Sequence, residues 1–160
     1  MKWITITKLA VSFAATFSVA AAGSIFTTDE AISVWYAGLN KPFFNPPGWL
    51  FGPVWTVLYA LMATAAFLVW QKGFDNPAVR VGLGLFAIQL VLNAAWTPIF
   101  FGLKMPLLAF VEILMLLFAI LLTTAAFTKV SIVASLLLVP YVLWTSFAAV
   151  LNATIWLMNR

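Results

Sequence analysis

Four carboxylates, Asp29, Glu30, Asp75 and Glu112, are the whole acidic stock of this 160-residue chain, and it has no histidine and no cysteine. That excludes disulfides, thiolate nucleophiles and metal sites that need His or Cys ligands. It also removes the usual general base near neutral pH. Hydrolysis and phosphoryl transfer have almost no parts to work with. What the chain has in quantity is aromatic: eight Trp, fifteen Phe and three Tyr. Such side chains bind flat apolar molecules by stacking. Tryptophan oxidation, unlike most catalysis, needs neither His nor Cys.

The spacing of the polar and aromatic residues brings several onto shared helix faces. Trp55 and Tyr59 are one turn apart; Gln89, Asn93 and Trp96 fall at i, i+4 and i+7; Tyr141, Trp144, Ala148 and Asn152 lie close to one face. If these stretches are in a membrane, their amides and phenols face other helices or a cavity, because lipid offers no partners. Gln89 and Asn152 fit interhelical hydrogen bonding best, whereas Asn93, near Trp96, fits such bonding and ligand contact equally. Glu112 is the only acid well inside an apolar stretch, a placement that points to function. With no acid or His beside it, it suits an inward-facing, hydrogen-bonded role better than proton relay or catalysis.

The elements that must position these residues are transmembrane helices. The chain is 65% hydrophobic and 8% charged, with mean hydropathy +1.11. Five stretches are long enough to cross the hydrocarbon core: about 9–26, 49–70, 81–103, 105–127 and 130–158. The last four are separated by short, charged breaks, which makes neighbours antiparallel and adjacent. The expected fold is all-α, a five-helix membrane bundle forming one domain over 1–160. Pro53 and Pro106 are expected in first turns, and Pro140 should kink the fifth span. Ala14, Ser18 and Ala22 form a small-residue stripe that would allow close helix contact, or that simply marks an Ala-rich span. Lys2, Lys8, the apolar run and Ala20-Ala21-Ala22-Gly23 also fit a cleavable signal, so both readings of the first span stand.

Lys2, Lys8, Lys72, Arg80 and Lys129 fall on the N-terminal side; Lys41, Lys104 and Arg160 fall on the other. The positive-inside rule then predicts a cytoplasmic N-terminus in a bacterial cell membrane. The scattered net charge of +4 gives no basic stripe for nucleic acid.

The connection over about 27–48 is the most informative. It carries Trp35-Tyr36, Leu39, Lys41-Pro42-Phe43-Phe44-Asn45-Pro46-Pro47 and then Trp49, an odd composition for a solvated linker. An aromatic belt at headgroup level is one reading. Aromatics concentrated in one connection and interleaved with rigid prolines favour the other, a preformed cover over a cavity at one end of the bundle. Thr28-Asp29-Glu30 would cap a short helix through about 38, with Gly38 and Asn40 as stop signals.

The run from Trp35 to Tyr59, including Lys41-Pro42-Phe43-Phe44-Asn45-Pro46-Pro47-Gly48-Trp49, resembles the signature of the tryptophan-rich sensory protein and translocator protein family (TspO/MBR), also called peripheral benzodiazepine receptors. Gln89 to Trp96 with Phe100-Phe101-Gly102, and Pro140-Tyr141-Val142-Leu143-Trp144 through Leu151-Asn152, resemble it too, in the same order. The resemblance implies a five-helix bundle, often dimeric, with a pocket beneath the first loop. It implies porphyrins, haem, sterols and synthetic isoquinoline or benzodiazepine ligands, with no cofactor required. By position, the binding residues would be Tyr36, Pro46, Phe51, Trp55, Tyr59, Asn93, Trp96, Trp144 and Ala148. In some bacterial members, tryptophans matching Trp55 and Trp144 are credited with light- and oxygen-dependent breakdown of protoporphyrin IX. One departure concerns sterols. The family's animal pattern has a basic residue soon after the fifth-span tyrosine, but here none follows Tyr141 before Arg160. A formal match elsewhere, Val34 to Lys41, is of a weak kind.

Three functions compete: a tetrapyrrole-binding sensor or carrier, a photo-oxidative porphyrin-degrading enzyme using Trp55 and Trp144, and a sterol or porphyrin transporter. The spans lack the paired charges usual in aqueous transport paths.

Overall fold

Five helices are long and apolar enough to cross a bilayer in the computed structural model, which describes residues 2–28 and 30–160: Trp3–Ser24, Gly48–Trp70, Pro77–Gly102, Pro106–Thr128 and Ile132–Met158. They match the five expected spans, with differences at the ends that have local causes. The third begins earlier because Asn76 caps it, its side chain accepting from the Ala78 N–H at 2.9 Å, with Pro77 in the first turn. The second begins at Gly48, so Pro53 lies inside that helix and not in its first turn. Pro106 does open the fourth.

The fifth span breaks at Leu138, between Ile132–Leu137 and Val139–Met158. Pro140 lacks the N–H that would continue the ladder, so the expected kink is present. The third span ends in a wider turn, Pro98–Gly102, closed by the Leu103 N–H donating to the Pro98 carbonyl at 2.8 Å. Lys104 then takes φ +57° in the tight link to the fourth span. On the opposite end, Lys8 Nζ donates to the Trp70 carbonyl at 3.1 Å, satisfying a helix-end acceptor of the second span.

The core lies among the second to fifth spans, where Tyr59, Met62, Val69, Phe86, Ile120, Phe127 and Tyr141 are buried. The third and fourth spans meet closely at Gly82, where an added Cβ would sit 3.1 Å from the Phe127 ring. The first span is the least buried. Its Ala14, Ser18 and Ala22 point outward, so the small-residue stripe makes no close contact within the bundle. The inward face carries Ser12, Thr16 and Phe17 instead. Both hydroxyls are satisfied by their own helix, Ser12 by the Lys8 carbonyl and Thr16 by the Ser12 carbonyl, each at 2.8 Å.

The long connection is folded over one end of the bundle, as its composition predicts. A short helix, Glu30–Tyr36, is capped by Thr28, whose Oγ1 accepts from the Ala31 N–H at 3.2 Å. Asp29, read as part of that cap, lies outside the described residues. Lys41 closes the other end, its Nζ donating to the carbonyls of Tyr36, Ala37 and Leu39 and sitting 4.9 Å from the Tyr36 ring centre. Asn159 ties the loop to the end of the fifth span. It accepts from the Asn40 N–H and donates to the Asn40 carbonyl, both at 2.9 Å. The aromatics finish the seal: Trp35 packs edge-on to Phe100 at 5.3 Å, and Phe44 to Phe147 at 6.3 Å.

Candidate functional site: an aromatic cavity under the loop

Beneath that cover lies a cavity of about 550 Å³, within the size range of small-molecule sites. Eight of the nine residues expected to bind ligand line it: Tyr36, Phe51, Trp55, Tyr59, Asn93, Trp96, Trp144 and Ala148. Pro46 does not. It sits half-buried in the loop, its carbonyl accepting from Asn45 Nδ2 at 3.2 Å. A proline after a turn serves here to aim the chain into the second span, and its ring stays out of the wall.

Each wall has a structural reason. Trp55 and Tyr59, a turn apart, lie with ring centres 5.4 Å apart, and Trp55 meets Tyr141 edge-on at 6.2 Å. Phe51 meets Trp144 edge-on at 5.9 Å, joining the second and fifth spans across the mouth. Trp96 is held from two sides: it stacks on Phe100 at 4.8 Å, and its Nε1–H donates to Asn152 Oδ1 at 3.1 Å. Asn152 Nδ2 donates onward to the Pro106 carbonyl at 2.8 Å, so this amide links the third, fourth and fifth spans. That is the interhelical bonding expected of it. Among the described residues no protein acceptor meets the indole N–H of Trp55 or Trp144, so both donors remain for a ligand.

The floor is a directional hydrogen-bond chain. Tyr59 donates to Asn93 Oδ1 at 2.8 Å, Asn93 Nδ2 donates to the Tyr141 hydroxyl at 2.8 Å, and Tyr141 donates to Gln89 Oε1 at 3.0 Å. Gln89 is therefore glue, as expected, and Asn93 is both glue and cavity wall. At the mouth, burial pushes the Tyr36 phenol above its usual range, partly offset by its 2.8 Å hydrogen bond to Asn45. The hydroxyl is thus neutral and donates to the loop.

Sequence reasoning missed the walls given by Phe100, Phe101, Ile113, Leu116 and Thr145, and the first-span side with Phe17, Ala20 and Gly23. Phe100 and Phe101 carried a signal, since they follow Trp96 by one turn. Ile113 and Leu116 carried none beyond apolarity.

Glu112 faces protein, 3% exposed, as expected. The expected hydrogen bond is not there: neither carboxyl oxygen meets a donor among the described residues. With no partner to strand, Glu112→Leu should stabilise the bundle by about 1–3 kcal/mol, the scale of an unsatisfied buried polar group. Thermal unfolding in detergent should rank Leu above Gln and Gln at or above wild type. A Leu variant melting below wild type would show that the carboxyl has a stabilising partner.

The comparisons with known proteins fit this architecture. The sequence pattern of the TspO/MBR family matches residues 10–157. The chain belongs to the TspO/MBR family. It is 49% identical over 154 residues to the Tryptophan-rich protein TspO of Chlorobaculum tepidum, covering 96% of this chain and 97% of that protein. It is 45% identical over 140 residues to the Translocator protein of Homo sapiens, covering 86% and 82% respectively. With the Tryptophan-rich sensory protein of Cereibacter sphaeroides it shares 38% over 133 residues, covering 83% and 79%. As a TspO/MBR member with five apolar helices, the chain is a multi-pass integral membrane protein. The matched region includes the loop, the cavity walls and the polar floor.

Proposed function

We propose that this TspO/MBR protein binds tetrapyrroles, protoporphyrin IX and haem foremost, and acts as a sensor or carrier in tetrapyrrole or stress regulation. The observation that carries this reading is the cavity itself. Its walls are Trp55, Trp96, Trp144, Phe51 and Phe100, its polar groups are few, and it lies under a folded cover. A flat macrocycle gains most where aromatic faces stack on it and a few polar groups fix its orientation. Haem would find no His or Cys as an axial ligand here, so stacking and shape would supply most of its hold. The names sensory protein and Translocator protein carried by relatives agree with sensing or carriage. The test is a dark titration of protoporphyrin IX into the purified protein, followed by quenching of tryptophan fluorescence. Saturable quenching that palmitate does not compete away supports the reading; quenching that palmitate removes equally well would refute it. Sterols, isoquinolines and benzodiazepines are further candidates for the same cavity, and a homodimer in a bacterial cell membrane with its N-terminus in the cytoplasm is the assembly we infer.

A second reading has its own observation: Trp55 and Trp144 line one cavity, and Trp55 touches two oxidisable phenols, Tyr59 and Tyr141. Under light, a bound porphyrin would sensitise molecular oxygen, and these indoles would take part in the oxidation of the macrocycle.

A further inference from the structure

Thr145 differs from Thr16 and Thr123, the other buried helical threonines among the described residues. Their hydroxyls each donate back to the carbonyl four residues earlier, at 2.8 Å. This is the ordinary way a helix satisfies such a group in an apolar medium. Thr145 is 1% exposed, yet its Oγ1 has no partner. It lies in the cavity wall with Tyr59 and Asn93. A buried hydroxyl left unmade costs about 1–3 kcal/mol. Its own helix could have satisfied it by the other χ1 rotamer, since Thr populates two in helices.

The Tyr59 proton is committed to Asn93, so its oxygen presents lone pairs. Glu112 lies behind the wall with both oxygens free. Its level follows from helix register. Asn152 reaches the Pro106 carbonyl, which aligns the two antiparallel spans there. Six residues along the fourth span and seven back along the fifth, at about 1.5 Å each, bring Glu112 and Thr145 to nearly the same height. Ile113 and Leu116, one and four residues further along the fourth span than Glu112, line the cavity.

We infer that Thr145 is a specificity-determining contact at the cavity floor that accepts a hydrogen bond from a neutral N–H or O–H donor on the buried edge of a flat ligand. The inference rests on the reading of the cavity as a site for flat apolar ligands and names the chemistry of the inner edge.

The probe is a matched pair of 1,4-benzodiazepin-2-ones, one with a lactam N–H and one with N–CH3, titrated against wild type, Thr145→Val, Thr145→Ala and Thr145→Ser. Wild type should bind the N–H compound about tenfold more tightly, the scale of one hydrogen bond made in a buried site. The Val and Ala variants should bind the two within about twofold, and Ser should restore the preference. Equal binding by wild type, or a preference that survives in Val and Ala, would overturn the proposal. If wild type binds protoporphyrin IX and neither probe, the subsite fails alone; if it binds none of the three, the reading of the cavity fails with it.

Discussion

Replacing Ala148 with Leu should weaken binding of protoporphyrin IX at least tenfold while leaving the bundle folded. Ala148 lies one turn from Trp144 on the cavity face of the fifth span, where its small side chain sets the wall. Leu adds three carbons to a space bounded by Phe51, Trp55 and Trp144, which are already fixed by ring contacts at 5.4–5.9 Å. Overfilling a packed interior costs about 1–3 kcal/mol. Here the filled space is a cavity, so the cost falls on the ligand and not on the fold. Thr, with two added heavy atoms, should do the same more mildly. Fluorescence titration and thermal unfolding on the same samples separate the two effects. Unchanged affinity for both porphyrin and isoquinoline ligands would show that this wall does not touch them.

The second large effect separates binding from chemistry. Trp55→Phe and Trp144→Phe keep an aromatic face and lose the indole N–H, which has no protein acceptor in either case among the described residues. If these residues bind alone, each substitution should cost about 1 kcal/mol of affinity, one net hydrogen bond, a loss of roughly fivefold. If they also carry oxidation, light-dependent loss of porphyrin absorbance should nearly vanish in the double variant, with dark affinity far less affected. Trp55 should matter in concert with Tyr59, 5.4 Å away, whereas the rings next to Trp144 are Phe51 and Phe147, which are much harder to oxidise. Dark titration followed by illumination with and without oxygen reads both quantities. Wild-type decay in the double variant would remove both residues from any chemistry.

Much of this architecture was legible because the bilayer imposes simple rules. Twenty apolar residues in a row have one economical fate, so the five spans were readable, and Pro140 announced its break. The loop was readable for the opposite reason: Trp35, Phe43 and Phe44 beside prolines make no sense as a solvated linker. What was not legible depended on choices that composition leaves open. Ala14, Ser18 and Ala22 keep the right spacing for close packing, yet the first span turns Ser12, Thr16 and Phe17 inward instead. Pro53 falls inside its helix because the helix opens at Gly48, more than a turn before it, a boundary set by the loop. Glu112 was rightly placed inside, but whether a donor on a neighbouring span meets its carboxyl depends on packing that spacing alone does not give. Thr145 gave no signal at all, because a threonine in a span ordinarily bonds its own helix.

The most direct measurement of the central claim is an experimental structure of the protein in lipid nanodiscs with protoporphyrin IX bound in the dark. The account predicts the macrocycle under the 27–48 cover, between Trp55 and Trp144, with its carboxylates toward the loop and its apolar edge toward Ala148. A macrocycle held on the lipid-facing surface, or a cavity left unfilled at saturating ligand, would contradict it.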